Sequence, residues 1–416
     1  MKKKTQKYII SLFTCFIACL LVYGISQQSR PLSVSAETGT YGVLSYDSLA
    51  DGTLEITDCE ESAVSVEIPA EIDGVAVTSI ASMAFKDCKS LTSVTIPDSI
   101  TNIGNEAFSG CYKLTAITIP NSVIKIKDKA FYFCSDLKTV TLSENLESIG
   151  ENAFSICSKL ENIKIPDSVT DIGAWAFSLC RNLTNITLPN GITEIKDSTF
   201  SKCSSLAEIT IPENVKTIDS YAFSDCFNLT EVNLPKRINR IEYYAFNNCK
   251  NLKKINIPDG VSKIERSTFC DCYNLEEVSI PSSVKSIENR AFYNCEKLTD
   301  VYYNGTEEEW NNISISSSGN DTLLNATIHY NASTPDISIT GDLTGDNLVS
   351  VDDAVLTLTI YAKKAAGMDV DFSEAQVAAA DINGDGTVDV KDAVAILTYY
   401  AKVSAGLQPT WEEVIG

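Results

Sequence analysis

Two stretches near the C-terminus space oxygen-bearing side chains as a hard divalent cation requires. The first reads D-L-T-G-D-N-L-V-S-V-D-D over residues 342–353, and the second D-I-N-G-D-G-T-V-D-V-K-D over residues 381–392. Both fit a twelve-residue calcium loop with ligands at positions 1, 3, 5, 7, 9 and 12. In the first these are Asp342, Thr344, Asp346, the carbonyl of Leu348, Ser350 and Asp353. In the second they are Asp381, Asn383, Asp385, the carbonyl of Thr387, Asp389 and Asp392. Gly386 supplies the sharp turn at position 6 of the second loop. Asn347 does so in the first, because asparagine tolerates a left-handed backbone better than most residues. The expectation is two calcium ions, held more tightly by the second loop, which has four carboxylates against three.

Each loop runs into a segment with an apolar stripe at helical spacing, residues 354–363 and 393–402, which lie 39 residues apart like the loops. The sequence gives neither loop an entering helix. Two such loop–helix units, covering residues 341–407, resemble a type I dockerin. That resemblance implies calcium-dependent docking onto a cohesin module of a scaffoldin, as in cellulosome assembly. In the family, contacts concentrate at loop positions 10 and 11 and on the helix that follows. Those positions are Val351 and Asp352 in one copy and Val390 and Lys391 in the other, so the Asp352/Lys391 difference breaks the symmetry.

Other catalytic chemistry is poorly supplied. The chain has one histidine, His329, in a stretch that reads as a strand, and it lacks a Gly-rich phosphate loop and a His-based metal motif. Acidic pairs for glycosidic cleavage are abundant, but no unassigned segment is large enough for a catalytic domain. The expectation is a protein that is not an enzyme. Polysaccharide catabolism would then be a property of a complex to which it belongs.

The rest of the chain is organised by a period of 23 residues. Ten phenylalanines from Phe85 to Phe292 keep it without interruption, and a cysteine follows each by three residues, from Cys88 to Cys295. Such a period means a solenoid whose coils bury their apolar faces only against one another. In the coil from Ile103 to Lys125, spacings of three and four predict a short helical turn up to Leu114, and the alternation Ile117-Thr118-Ile119 predicts a strand. Proline follows the strand in eight coils and ends it. Stacked, the strands should form one long parallel sheet. Its outward positions (Thr118, Thr141, Lys164 and their equivalents, with Glu208, Glu231 and Glu277 two residues earlier in their coils) form a polar row. Trp175, Tyr221 and Tyr244 share another position, two residues before the phenylalanine, where they could meet a sugar or a protein.

Both ends should be capped, by the strand around Val66 upstream and by Thr306 to Trp310 and Ala326 to Tyr330 downstream. The cysteine ladder reads as reduced and inward-facing, since identical stacked side chains point the same way and make poor disulfides. Cys270, outside the ladder, is expected to label readily. The pattern A-F-x-x-C-x-x-L-x-x-V-x-I-P, with Tyr302-Tyr303-Asn304-Gly305-Thr306 at the end, resembles the bacterial BspA-like leucine-rich repeats over residues 41–330. The resemblance implies a binding or adhesion role.

The first 36 residues have the basic start, the apolar run Ile9 to Ile25 and the small residues at Val34-Ser35-Ala36 that mark a secretory signal peptide. Without them 28 basic residues face 55 acidic ones, a net charge of −27. That surface repels nucleic acid and anionic membranes. The chain thus divides into a signal peptide (1–36), a capped leucine-rich-repeat solenoid of α/β class with 23-residue coils (37–330), a linker (331–340) and a small all-α calcium-binding dockerin module (341–416). The expected protein is secreted and extracellular, attached to a cell surface through a scaffoldin where one is present, and free of the membrane after signal cleavage. Its repeats bind a protein, cell-surface or glycan target. A polysaccharide-degrading glycoside hydrolase, and an adhesin or inhibitor of host or competitor proteins, are the alternatives the sequence leaves open.

Overall fold

The computed structural model describes residues 38–331 and, in the tail, 340–344, 349–368, 372, 374–405, 407 and 409–415. The signal peptide, most of the linker, Asp346, Asn347 and Leu348 lie outside the described residues.

The 23-residue coils stack in register. The strand Ala116–Thr118 pairs in parallel with Thr139–Thr141, and Asn162–Lys164 with Asn185–Thr187, each partner 23 residues on. Within each strand the middle residue is buried and its neighbours are mostly exposed, as the alternation requires. The phenylalanines form a continuous stack inside, neighbouring ring centroids lying 4.8 to 5.8 Å apart. All ten are fully buried. Each ring removes its area from water and gains a stacked neighbour on one or both faces.

The predicted helical turn is not there, and the solenoid coils contain no α-helix. The apolar three-and-four spacing belongs to a run of tight turns. In every coil the residues two before and two after the phenylalanine have positive φ, as at Glu106 (55°) and Gly110 (76°), or Trp175 (60°) and Leu179 (62°). A left-handed residue ends a right-handed helix wherever it occurs. The N–H groups that a helix would use internally point to the next coil: those of Glu106, Phe108 and Gly110 donate to the carbonyls of Asp128, Ala130 and Tyr132. The α/β class assigned to the repeats is therefore corrected to strands and turns.

A second correction concerns the sheet. Besides the three-residue strands there is another parallel row of two-residue strands, such as Asn102–Ile103, Lys125–Ile126 and Ser148–Ile149. Each coil thus has two strands at different edges, and the ladders are broken into shorter sheets. Two residues are too few for an alternating pattern to register.

The left-handed positions carry an energetic cost of about 1–3 kcal/mol each for residues other than glycine. Six coils fill the second position with Asp, Asn or Gly, which tolerate it, whereas Ile156 (φ 65°) is β-branched. Ile156→Asn should stabilise the solenoid by about 0.5–1 kcal/mol. An unfolding midpoint unchanged or lowered in urea would contradict this.

The cysteine ladder is buried and free of disulfides, and the structure adds a directional bond. Each thiol from Cys111 to Cys295 donates to the carbonyl of the phenylalanine 26 residues earlier, as Cys157 does to Phe131 at 3.2 Å and Cys180 to Phe154. Burial pushes the Cys134 and Cys180 thiols up to about 12, which suppresses the reactive thiolate. Cys270 departs from expectation. It too is buried, its thiol donates to Asp271, and burial pushes it up to about 12. Iodoacetamide should therefore leave Cys134, Cys157, Cys180 and Cys270 unmodified in the native protein at pH 8 and label all of them after denaturation. Rapid native labelling of any of these would refute the assignment.

The caps appear where the sequence placed them. Val66 pairs with Val94, and Leu54–Cys59 runs beside Val75–Ile80. Downstream, Thr306 and Glu309 form a reciprocal capping box, and the buried Trp310 packs edge-on against Tyr303 at 5.2 Å. Thr327–Tyr330 pairs with Asp300–Asn304 and closes that sheet. Asn320 was not anticipated. Fully buried, its side-chain oxygen accepts the Phe292 N–H, replacing the carbonyl of a coil that does not follow, and its amide donates to Glu288 and Ser316.

In the tail, helices span Val351–Ala365 and Val390–Ser404, extending the predicted segments at both ends. They pack together over a small core that includes Leu343, Ile360, Ile382 and Ile396. A helix at Glu374–Ala380 leads directly into the second loop, so that loop does have an entering helix.

Candidate functional site

The second acidic loop is held by its own side chains. Asp381 accepts hydrogen bonds from the N–H groups of Asp385 (3.1 Å) and Gly386 (2.8 Å), Asn383 from that of Asp385, and Asp385 from the backbone and hydroxyl of Thr387. Those bonds from Thr387 hold the Asp385 carboxyl below the usual carboxylate range. Gly386 has φ of 84°, as position 6 requires.

The later ligand positions belong to the helix that follows. Asp389 is its N-cap and accepts from Lys391. Asp392, fully buried, receives the N–H of Asp389 on one carboxylate oxygen and those of Ile382 and Asn383 on the other. It ties the start of the loop to its end. The first loop repeats the arrangement: Asp353 accepts from Leu343 and Thr344 on one oxygen and from the Ser350 N–H and hydroxyl on the other. Thr344 donates to Asp342 at 3.1 Å.

The donor set is hard oxygen throughout, the chemistry calcium selects, and Asp381, Asn383 and Asp385 share one network of loop hydrogen bonds. Asp389 and Asp392 are committed to backbone N–H groups. Among the described residues no three acidic, cysteine or histidine side chains form a metal-binding group.

Val351 and Val390, at loop position 10, are both exposed, and Asp352 and Lys391 beside them are exposed too. The exposed apolar set continues along the helices in pairs 39 residues apart: Val355 with Val394, Leu358 with Leu397, Tyr361 with Tyr400. The sequence pointed to the helices here but not to the extent of the matched set.

The strand face of the solenoid is polar and largely exposed from Thr95 to Thr210. Toward the C-terminal end it closes over. Asn233 and Asn256 are half-buried and Ser279 is buried. Lys254 pairs with Glu277 at 2.9 Å, which raises the Lys254 ammonium above its usual range. His329 hydrogen-bonds Asp300 at 2.7 Å and stacks on Tyr302 with centroids 4.7 Å apart. The lone histidine is thus a partly exposed member of the face. Outward positions look alike in sequence whether or not a larger neighbour covers them, so this closure left no signal there.

Comparison with known proteins bears on the repeats. A family model described as BspA type leucine rich repeat region matches residues 59–184 and 171–299, in six copies. No curated protein matches the chain. Among solved structures, a leucine-rich repeat protein from Bacteroides ovatus is 33% identical with a TM-score of 0.60, covering 64% of this chain and 70% of its own. A leucine rich cell surface protein from Faecalibacterium prausnitzii is 29% identical (TM-score 0.38), with 69% of this chain and 100% of that one covered. A leucine-rich repeat protein from T. pallidum is 30% identical (TM-score 0.43), with coverage of 52% and 91%.

Proposed function

Because the chain belongs to the BspA-type leucine-rich repeat family, we propose that it is a non-catalytic binding protein whose solenoid holds a target while its tail attaches that target to a scaffold. The observation that carries the reading is the division of surfaces. The solenoid presents a long polar strand face, whereas the tail presents exposed apolar residues in two matched sets beside two acidic loops. A solenoid uses such a continuous face for recognition.

On this reading the tail is a dockerin-like module. Calcium would be held by Asp381, Asn383, Asp385, Thr387, Asp389 and Asp392, and by Asp342, Thr344, Asp346, Leu348, Ser350 and Asp353. The ion supplies charge neutralisation, which lets carboxylates crowd into one loop. Val351, Asp352, Val390 and Lys391 and the helix faces after them would meet a cohesin. The leader at residues 1–36 directs the protein out of the cell, where a scaffoldin would hold it.

The test is binding of the full chain to an immobilised cohesin with calcium and with a chelator. Chelation should abolish binding and leave the solenoid folded. Asp385→Ala should weaken binding tenfold or more, whereas a combined Glu231→Ala, Asn233→Ala and Asn256→Ala variant should leave it unchanged. Equal affinity with and without calcium would sink the docking part of the proposal.

A further inference from the structure

We propose that the turn edge around Trp175 and Tyr221 is a binding site for a neutral pyranose chain, separate from the strand face. Trp175, Ser198, Tyr221 and Tyr244 occupy the same left-handed position, two residues before the core phenylalanine, in four consecutive coils. Tyr221 and Tyr244 stack with centroids 4.8 Å apart and planes within 4°. Tyr243 stands edge-on to both rings, and the Arg266 guanidinium lies 5.7 Å from the Tyr244 centroid.

The stack is therefore occupied on the side of the later coils. On the other side of Tyr221 comes the coil of Ser198, which contributes no ring, and then Trp175, which is 41% exposed. Two aromatic side chains thus bracket a ring-free coil, separated by two coil spacings or roughly 10 Å. That separation is close to the advance of two linked pyranose units.

The floor of the bracket is polar. The buried Ser198 side chain lies beside the Asp197 carboxyl. Asp197, half-buried between Trp175 and Tyr221 along the chain's stacking direction, has its carboxyl raised by burial and by Asp219, an effect opposed by the Ser198 and Trp175 side chains. A pyranose has an apolar C–H face that packs on a ring and a hydroxyl edge that donates to a carboxylate. Both halves are supplied here, and each alone would be commonplace. A phosphate-bearing chain would be repelled by Asp197, Asp219 and the net charge of −22.

The experiment is calorimetric titration of the full chain with four uncharged hexasaccharides: cellohexaose, maltohexaose, mannohexaose and chitohexaose. At least one should bind and shift the Trp fluorescence. Trp175→Ala and Tyr221→Ala should each weaken that binding about tenfold, and Asp197→Asn severalfold, with unfolding midpoints unchanged. A strand-face variant, Asn233→Ala, should bind as the unsubstituted protein does, so failure here and failure of the strand-face reading are separable. The assignment is overturned if none of the four binds, if Trp175→Ala binds undiminished, or if Trp175→Ala abolishes capture of a protein and leaves sugar binding intact.

Discussion

Phe177→Ala should destabilise the solenoid by about 3–5 kcal/mol, the cost of removing a large ring from a core that cannot collapse around the hole. Phe177 is fully buried and stacks on Phe154 at 5.6 Å and Phe200 at 5.8 Å. Its backbone accepts the Cys203 thiol and donates to Thr199. A solenoid's stability is a sum of coil and nearest-neighbour terms, so the damage enters two interfaces at once. Urea unfolding followed by tyrosine fluorescence should show a lower midpoint and a broadened transition as the halves uncouple. Phe85→Ala, at the end of the stack with a ring neighbour on one side only, should cost less. A loss below about 1 kcal/mol at Phe177 would mean that the ring stack is not the main support of the coil interfaces.

Asp392→Ala should unfold the tail while sparing the repeats. The carboxylate is fully buried, and its removal would leave the N–H groups of Ile382, Asn383 and Asp389 without their acceptor. The buried Ile382 donor left unpaired costs about 1–3 kcal/mol and the part-buried Asn383 and Asp389 donors add to it, a loss that a small core of this size cannot absorb. Among the described residues helix is concentrated in the tail, where Val351–Ala365 and Val390–Ser404 hold 15 residues each, against two five-residue helices in the solenoid cap. Ellipticity at 222 nm is therefore a reporter of the tail. It should fall at room temperature in Asp392→Ala, fall less in Asp392→Asn, and change little in Asp389→Ala, which removes a helix cap. Equal behaviour of the three would show that the capping network does not hold the module together.

Much of this fold could be read from residue spacing, because a solenoid repeats its error-free segments ten times over. The register of every coil followed from Phe85 to Phe292, and both caps followed from departures in that register. What stayed hidden was set by backbone conformation. Lys129, Trp175 and Tyr221 give no hint of positive φ, since the inter-coil hydrogen bonds hold them there against their own preference. Spacings of three and four mark a buried stripe, and a chain of turns produces the same stripe as a helix. Thiol donation to the phenylalanine carbonyl was likewise hidden, because burial alone already accounted for cysteine. In the tail the loop ligands were legible as a pattern. The commitment of Asp353 and Asp392 to the backbone was not, because a ligand position and a capping-box position coincide there.

The registered ladder also makes molecular length a free variable. At the phenylalanine turn each central coil repeats the same hydrogen bond to the next coil and the same ring stack. Unequal recombination that removes or duplicates 23 residues between Ile103 and Ile264 would join one finished surface to another and disturb neither cap. Such a lineage can lengthen or shorten its reach in steps of one coil, each a single genetic event. It would thereby redistribute whichever outward residues came with the inserted piece.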